Sequence, residues 1–243
     1  MSSERLHKVL SQAGYGSRRE IEGWIEQGLL QINGETAKLG DLVSENDKIS
    51  LRGRVIDNPM KLVQRTRILL YNKPLGEISS RHDPYHPRTV FDKLPRLNQG
   101  RWIQVGRLDI NTGGLLVFTN NGELANRLMH PKFEYEREYA VRVFGEVTKE
   151  MIKQLKTGVQ LDDGFAKFES IEAQGGDHSN SWFHVMLKEG RHRMVRRLWQ
   201  SQGVEVSRLL RIRFGPIQLP RWLNRGQFVE MSSQDIDTLI ASL

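Results

Sequence analysis

Apolar residues fall into two different rhythms along the chain, and the change of rhythm marks out its elements. Leu6, Val9, Leu10 and Ala13 recur at the i, i+3, i+4, i+7 spacing of a helix with one buried face, and Gly14 supplies its stop. Ser17-Arg18-Arg19-Glu20 has the pattern of a capping box, and Ile21, Trp24 and Ile25 give the stripe of a second helix ending at Gly28. Leu30 and Ile32 then alternate into Asn33-Gly34, the signal of a tight hairpin with a primed turn, with a return segment ending near Leu39-Gly40-Asp41. A strand over 48–51 closes this unit, so residues 1–57 read as one small module.

The stretch 58–66, opened by Asn58-Pro59 and carrying no sustained period, reads as a linker. A second domain over 67–243 follows. Its buried-strand candidates are 68–71, 102–105 and 115–118, with further strands over 139–144, 183–187 and 209–214, a helix over 123–129 and a closing helix over 233–243. Many strands with few helices between them predict an α+β domain on a mixed, largely antiparallel sheet. Neither a strand–GxGxxG–helix element nor a GxxxxGK[ST] loop is present, so the nucleotide-cofactor folds have no support.

Composition narrows the class. In 243 residues, 38% hydrophobic with five Trp and nine Phe, there is enough apolar surface for a real core. The longest apolar runs fall far short of the ~20 residues that span a bilayer, and the N-terminus has no signal-peptide core. The absence of cysteine removes disulfides and thiolate metal sites. A soluble, cytoplasmic protein is expected, without a membrane partner. The net charge of +7 is concentrated: residues 185–225 hold ten basic side chains, nine of them Arg, against Glu189 and Glu205. That surplus of eight fits a polyanionic partner, because guanidinium groups take phosphate in bidentate fashion and stack on bases, although a solvated basic face has the same composition. Residues 1–58, with eight basic and nine acidic side chains, need a local patch for any such contact.

Asp109 stands in Gly106-Arg-Leu-Asp-Ile-Asn-Thr-Gly-Gly-Leu-Leu116, on a loop between two expected buried strands. An Asp near Asn, Thr and Gly is by itself most often a turn or capping residue. The whole string, however, resembles the signature of the pseudouridine synthases. So do, in order, Lys73-Pro74-Leu75-Gly76, Arg137-Glu-Tyr-Ala-Val-Arg-Val143 and Glu189-Gly-Arg-His-Arg-Met-Val-Arg-Arg-Leu198. The first 57 residues resemble the S4 RNA-binding domain. With Gly122-Glu-Leu-Ala-Asn-Arg-Leu-Met-His130, the chain resembles the small- and large-subunit rRNA pseudouridine synthases over nearly its whole length.

The resemblance implies isomerisation of a uridine in ribosomal RNA, with 23S rRNA favoured, acting on the RNA or on a ribosomal assembly intermediate. It implies no cofactor and no metal, since nothing is oxidised and no external group is transferred. It assigns Asp109 as the catalytic carboxylate, acting as nucleophile or promoting glycal formation at the ribose, Arg196 as the cation paired with that carboxylate with Arg197 as substitute, and Tyr139 as the ring stacked on the target base. Periodicity alone would equally make Tyr139 a strand-core residue beside Val141 and Val143. Arg107 is placed to fill the stack vacated by a flipped base, and Arg18, Arg19, Arg191, Arg193 and Arg197 to contact RNA. His130 and His192 read as structural or RNA-contacting residues, since neither sits in a His/Asp/Ser constellation. A monomer is expected. Two other classes compete: a non-catalytic RNA-binding assembly factor, disfavoured by a carboxylate in a basic groove, and a helix-turn-helix DNA-binding protein, disfavoured by the hairpin at Asn33-Gly34 and the large second domain.

Overall fold

Ser17 begins the most clearly encoded element of the chain. In the computed structural model, which describes residues 3–243 apart from 62–64, 82, 86–87 and 178–179, its hydroxyl accepts from Glu20 N at 3.2 Å. The Glu20 carboxylate accepts from Ser17 N at 2.6 Å, completing the capping box. The chain forms two compact units, the first made of residues 1–67, 95–103 and 120–122 and the second of the remainder.

In the first unit, β1 (Glu4–Arg5) leads into α1 (Leu6–Gln12) and α2 (Arg18–Glu26), followed by β2 (Leu30–Ile32), β3 (Glu35–Thr36), β4 (Leu42–Val43), β5 (Ile49–Leu51) and β6 (Arg54–Ile56). Leu6, Val9, Leu10, Ile21 and Ile25 from the two helices pack with Leu30, Ala37, Val43 and Ile49 as one core. Asn33 and Gly34 both have positive φ, as a primed hairpin turn requires. The sheet does not end at β5. Arg52, at φ 52°, opens a second tight turn, and β6 becomes the outer strand in the order β3-β2-β5-β6. The expected linker is anchored at its start: Asn58 is buried and its amide donates to the carbonyls of Ser44 and Asp47, both at 2.8 Å. Pro59–Lys61 makes one 3-10 turn whose Met60 rests on the core; residues 62–64 lie outside the described ones.

The second unit begins with β7 (Ile68–Lys73), β8 (Ile103–Val105), β9 (Gly113–Thr119), α3 (Gly122–Met129) and β10 (Arg137–Phe144). Next come α4 (Lys149–Thr157), β11 (Val159–Leu161), β12 (Gly164–Ala166), β13 (Ser170–Asp177), β14 (Asn180–Leu187) and α5 (Met194–Gln200). It ends with β15 (Glu205–Phe214), β16 (Ile217–Gln218), β17 (Phe228–Glu230) and α6 (Ser233–Ser242). Among the described residues nine strands form one mixed sheet in the order β13-β14-β10-β15-β9-β7-β17, with β16 on β15 and β8 on β9. β15 and β9 run parallel, whereas β10–β14, β10–β15, β13–β14, β15–β16, β17–β7 and β7–β9 are antiparallel pairs. β7 and β9 are buried along their whole length, as continuous apolar runs at the centre of a sheet should be. Periodicity missed α4, α5, β13 and the β11–β12 hairpin: α5 is two turns whose four buried residues are interrupted by Arg196 and Arg197, and β13 ends in a polar, glycine-containing run. No described helix is long and apolar enough to cross a membrane.

Two local irregularities position the chemistry. In β15 the register against β10 slips by one residue between Glu138/Arg213 and Tyr139/Arg211, so Ile212 is bulged. Regular alternation would put Arg211 and Arg213 on one face; the bulge instead sends Arg211 to the Tyr139 face and Arg213 to the Glu138 face. At the parallel seam, Gly114 lies opposite Arg211 with φ +92°, and a Cβ there would sit 2.2 Å from the Arg211 carbonyl oxygen. A backbone approach that close admits only glycine.

Gly114→Ala should therefore destabilise the second unit by roughly 3 kcal/mol or more, from left-handed strain plus overpacking. Gly203→Ala, also at positive φ but with no atom within 4 Å of the new methyl, should cost only about 1 kcal/mol. Denaturant unfolding of the two variants measures the difference, and equal losses would refute the close-approach argument.

Candidate active site

Asp109 lies on the loop that joins β8 to β9, and the carbonyls of residues 108–112 in that loop all accept hydrogen bonds. Thr112 N donates to Asp109 O at 3.0 Å, closing a turn. From below, the fully buried Lys73 ammonium donates to the carbonyls of Thr112 at 2.8 Å, Asp109 at 3.1 Å and Pro74 at 3.1 Å. Ser79 and Leu108 bond reciprocally, the hydroxyl donating to Leu108 O at 2.8 Å and accepting from Leu108 N at 3.2 Å. Gly76 N reaches Ile110 O at 2.8 Å, and the Arg196 guanidinium donates to Asn111 O at 2.7 Å. The backbone is held while the Asp109 carboxylate has no hydrogen bond or ion pair among the described residues. That is the arrangement a reacting carboxylate needs: fixed in place, with its oxygens available.

The loop opens onto a cleft of about 940 Å³ within the second unit, lined by Gly106–Asp109, Thr112, Tyr139, Arg137, Arg211, the segment 189–195 and residues 78–81. Tyr139 is buried on β10, across from Val185 on β14 and Arg211 on β15. Arg211 is 2% exposed. Its Nε donates to Leu115 O at 2.9 Å and its Nη2 has no partner. Burial pulls this guanidinium below its ordinary pKa; the neighbouring Tyr139 oxygen opposes that, while the like charge of Arg137 adds to it. Thr112, 3% exposed, also has a buried hydroxyl without a partner at the cleft wall.

The structure brings Asp109, Tyr139 and Arg107 to this cleft, with Arg107 exposed at its edge. It does not form the expected ion pair between Asp109 and Arg196. Arg196 spends its donors on two carbonyls, Asn111 O and Val206 O, both at 2.7 Å, and so braces the loop from α5. Burial lowers its pKa, Arg193 lowers it further, and the Asp109 charge acts in the opposite direction. Arg197, the substitute, pairs with Asp163 at 2.7 Å, and Arg191 pairs with the same carboxylate at 3.0 Å and with Glu189 at 2.9 Å. These two arginines thus tie the β11–β12 hairpin to α5 and its preceding loop. Arg193 and His192 are exposed at the cleft. His130 accepts from Lys132 N through Nδ1 at 3.2 Å, a structural contact. In the first unit Arg18 and Arg19 are exposed on the first turn of α2. Sequence reading gave no role to Lys73, Ser79 or Arg211; a lysine just beyond the apolar run 68–71 and next to Pro74 was the available signal for the first.

No group of three or more His, Cys, Asp or Glu stands within reach of one metal ion among the described residues.

Burial pulls the Lys73 ammonium down to about 8, against the opposing charges of Glu77 and Asp109. Between roughly pH 8 and 10.4 the unfolded chain therefore holds a proton that the folded chain has shed, so this group makes stability rise with pH across the window. Wild type should gain up to about 3 kcal/mol relative to Lys73→Met between those limits, while being the more stable protein at pH 7 because the variant strands three carbonyls. Parallel stability–pH curves for the two proteins would contradict this.

Three comparisons bear on the whole. Residues 67–201 match the family model described as RNA pseudouridylate synthase, and residues 4–49 match the S4 domain. The chain is 54% identical over 237 residues to the ribosomal large subunit pseudouridine synthase B of Pseudomonas aeruginosa, covering 97% of this chain and 61% of that protein. Against the protein of the same name from Escherichia coli (strain K12) it is 54% identical over 231 residues, covering 94% of this chain and 79% of that one. Against that from Xanthomonas campestris pv. campestris it is 53% identical over 245 residues, covering 99% and 50%. The chain thus spans between half and four-fifths of the length of these relatives. A crystal structure of a pseudouridylate synthase shares the fold with a TM-score of 0.66 at 23% identity, over 97% of this chain and 99% of that one. On the family match over more than half its length and on these relatives, the chain belongs to the RNA pseudouridylate synthase family and carries an S4 domain ahead of the family's own.

Proposed function

We propose that this protein converts a uridine of large-subunit (23S) ribosomal RNA into pseudouridine, with Asp109 as the catalytic carboxylate. The observation that carries the reading is the Asp109 side chain, unpartnered at a cleft while its backbone is held by Lys73, Ser79, Gly76 and Arg196. The reaction breaks the N1–C1′ bond, turns the base, joins C5 to C1′ and moves the C5 proton off the ring as N1 gains one, so atoms and electrons balance within the nucleotide and solvent protons. Whether the carboxylate attacks C1′ or takes a proton from C2′, it must be ionised and aimed.

Tyr139 supplies a ring for the base and a hydroxyl near C5. Arg196 acts on Asp109 through the loop backbone and through its charge. Extruding a stacked uridine costs a few kcal/mol, and Arg107, exposed at the cleft edge, is the side chain to occupy the gap. Arg18 and Arg19, at a helix N-terminus in the S4 domain, suit phosphate contacts; Arg193 is the exposed guanidinium at the cleft for the same use. The names of the relatives favour the large subunit as substrate source, either as free rRNA or as an assembly intermediate, and we take the enzyme to act as a cytoplasmic monomer.

Pseudouridine mapping of rRNA from cells lacking the protein tests the reading. One 23S position should lose its modification and regain it with wild type but not with Asp109→Asn. Equal rescue by the variant would remove Asp109 from the chemistry, and no change at any site would leave an RNA-binding assembly factor as the better description. Arg107→Ala should reduce turnover at least tenfold more on folded RNA than on an unstructured mimic; equal losses would contradict its role in base flipping.

A further inference from the structure

Outside the cleft, the second unit leaves several large apolar side chains exposed, among them Tyr85, Phe165 and Trp222, and Trp222 stands in a segment that carries arginines and no carboxylate. Trp222, on the 219–227 loop between β16 and β17, is 67% exposed, and no ring or cation stacks on it among the described residues. Its neighbours Arg221 and Arg225 are exposed too, and no acidic residue occurs between Arg213 and Glu230. The loop is not a loose one. Leu223 is buried beneath it, its carbonyl accepts from the Asn72 amide at 2.7 Å, Gly226 N donates to Asn72 O at 2.7 Å, and Asn72 N donates to Gln227 O at 3.0 Å. Asn72 precedes Lys73, the residue that holds the Asp109 loop, so the Trp222 loop is rigidly tied to the scaffold of the cleft.

An indole held on a fixed backbone, with an exposed arginine on either side of it in a segment of sequence free of carboxylates, has the chemistry of a stacking platform for a base whose flanking phosphates meet Arg. A base can offer its face only where it is unpaired or at a helix end. We infer that the 219–227 loop is a second RNA-contact surface, which stacks an unpaired nucleotide on Trp222 and takes the adjoining phosphates with Arg221 and Arg225. The inference rests on the reading of the protein as an RNA enzyme, but assigns a surface separate from the reacting atoms.

The test is binding of a fluorescein-labelled single-stranded U12 oligonucleotide by the full chain over a series of salt concentrations, beside kcat on 23S rRNA. Trp222→Leu should weaken U12 binding roughly 5- to 100-fold, while Trp222→Phe, which keeps an aromatic face, stays within a few-fold of wild type. Replacing Arg221 and Arg225 together with Gln should lower the slope of log K against log salt by roughly 1.4, two phosphates' worth for a single strand. All three variants should keep near wild-type kcat at saturating rRNA. Unchanged U12 binding by Trp222→Leu, a loss confined to kcat, or Trp222-dependent binding to anionic lipid vesicles without binding to U12 would each overturn the inference. The two readings separate cleanly: wild type that forms no pseudouridine but binds U12 through Trp222 upholds the surface and defeats the activity.

Discussion

A single buried ammonium organises the second unit. Lys73 ends a strand that is buried throughout, and its three hydrogen bonds converge on the carbonyls of Pro74, Asp109 and Thr112. Placing a cation there is costly, and the compensation is a loop that cannot drift: the turn closed by Thr112 N, the Ser79 bridge and the Arg196 brace all fix atoms that Lys73 has already gathered. The Asp109 carboxylate inherits its position from this frame rather than from partners of its own among the described residues, as the proposed catalytic role requires.

The arginine-rich second half looks like one electrostatic feature in the sequence and is several in the fold. Arg191 and Arg197 share Asp163, Arg213 is clamped by Glu136 and Glu138, and Arg211 is buried beside Tyr139. A one-residue bulge at Ile212 separates the last two onto opposite faces of the sheet. Arg193, Arg221 and Arg225 in this half, like Arg107 before it, are exposed and keep charge to offer a polyanion. Net charge suggests a polyanionic partner, whereas the contacts of each arginine decide which of them are available to meet one.

What could be read from the chain was what depends on neighbours in sequence. The capping box at Ser17, the hairpin at Asn33-Gly34, the central strands and the loop carrying Asp109 all rest on local chemistry or on strong periodicity. The motif strings carried the family resemblance, because they preserve residues whose reasons are three-dimensional. Three things were not legible. The brace from Arg196 to Asn111 O joins residues 85 apart, the role of Lys73 depends on a loop 36 residues away, and the short helix α5 hides its apolar face among arginines. In each case the deciding contact is tertiary, and no window of sequence contains both partners.

If the frame fixes the carboxylate, then moving it by one methylene must be as damaging as removing its charge. The measurement is tritium release from 5-tritiated uridine in 23S rRNA by Asp109→Glu, which keeps the carboxylate, beside wild type and with unfolding curves for both. The account predicts a correctly folded variant whose release falls by a factor of 100 or more, roughly what a 1 Å misplacement costs. Release within a few-fold of wild type would contradict it.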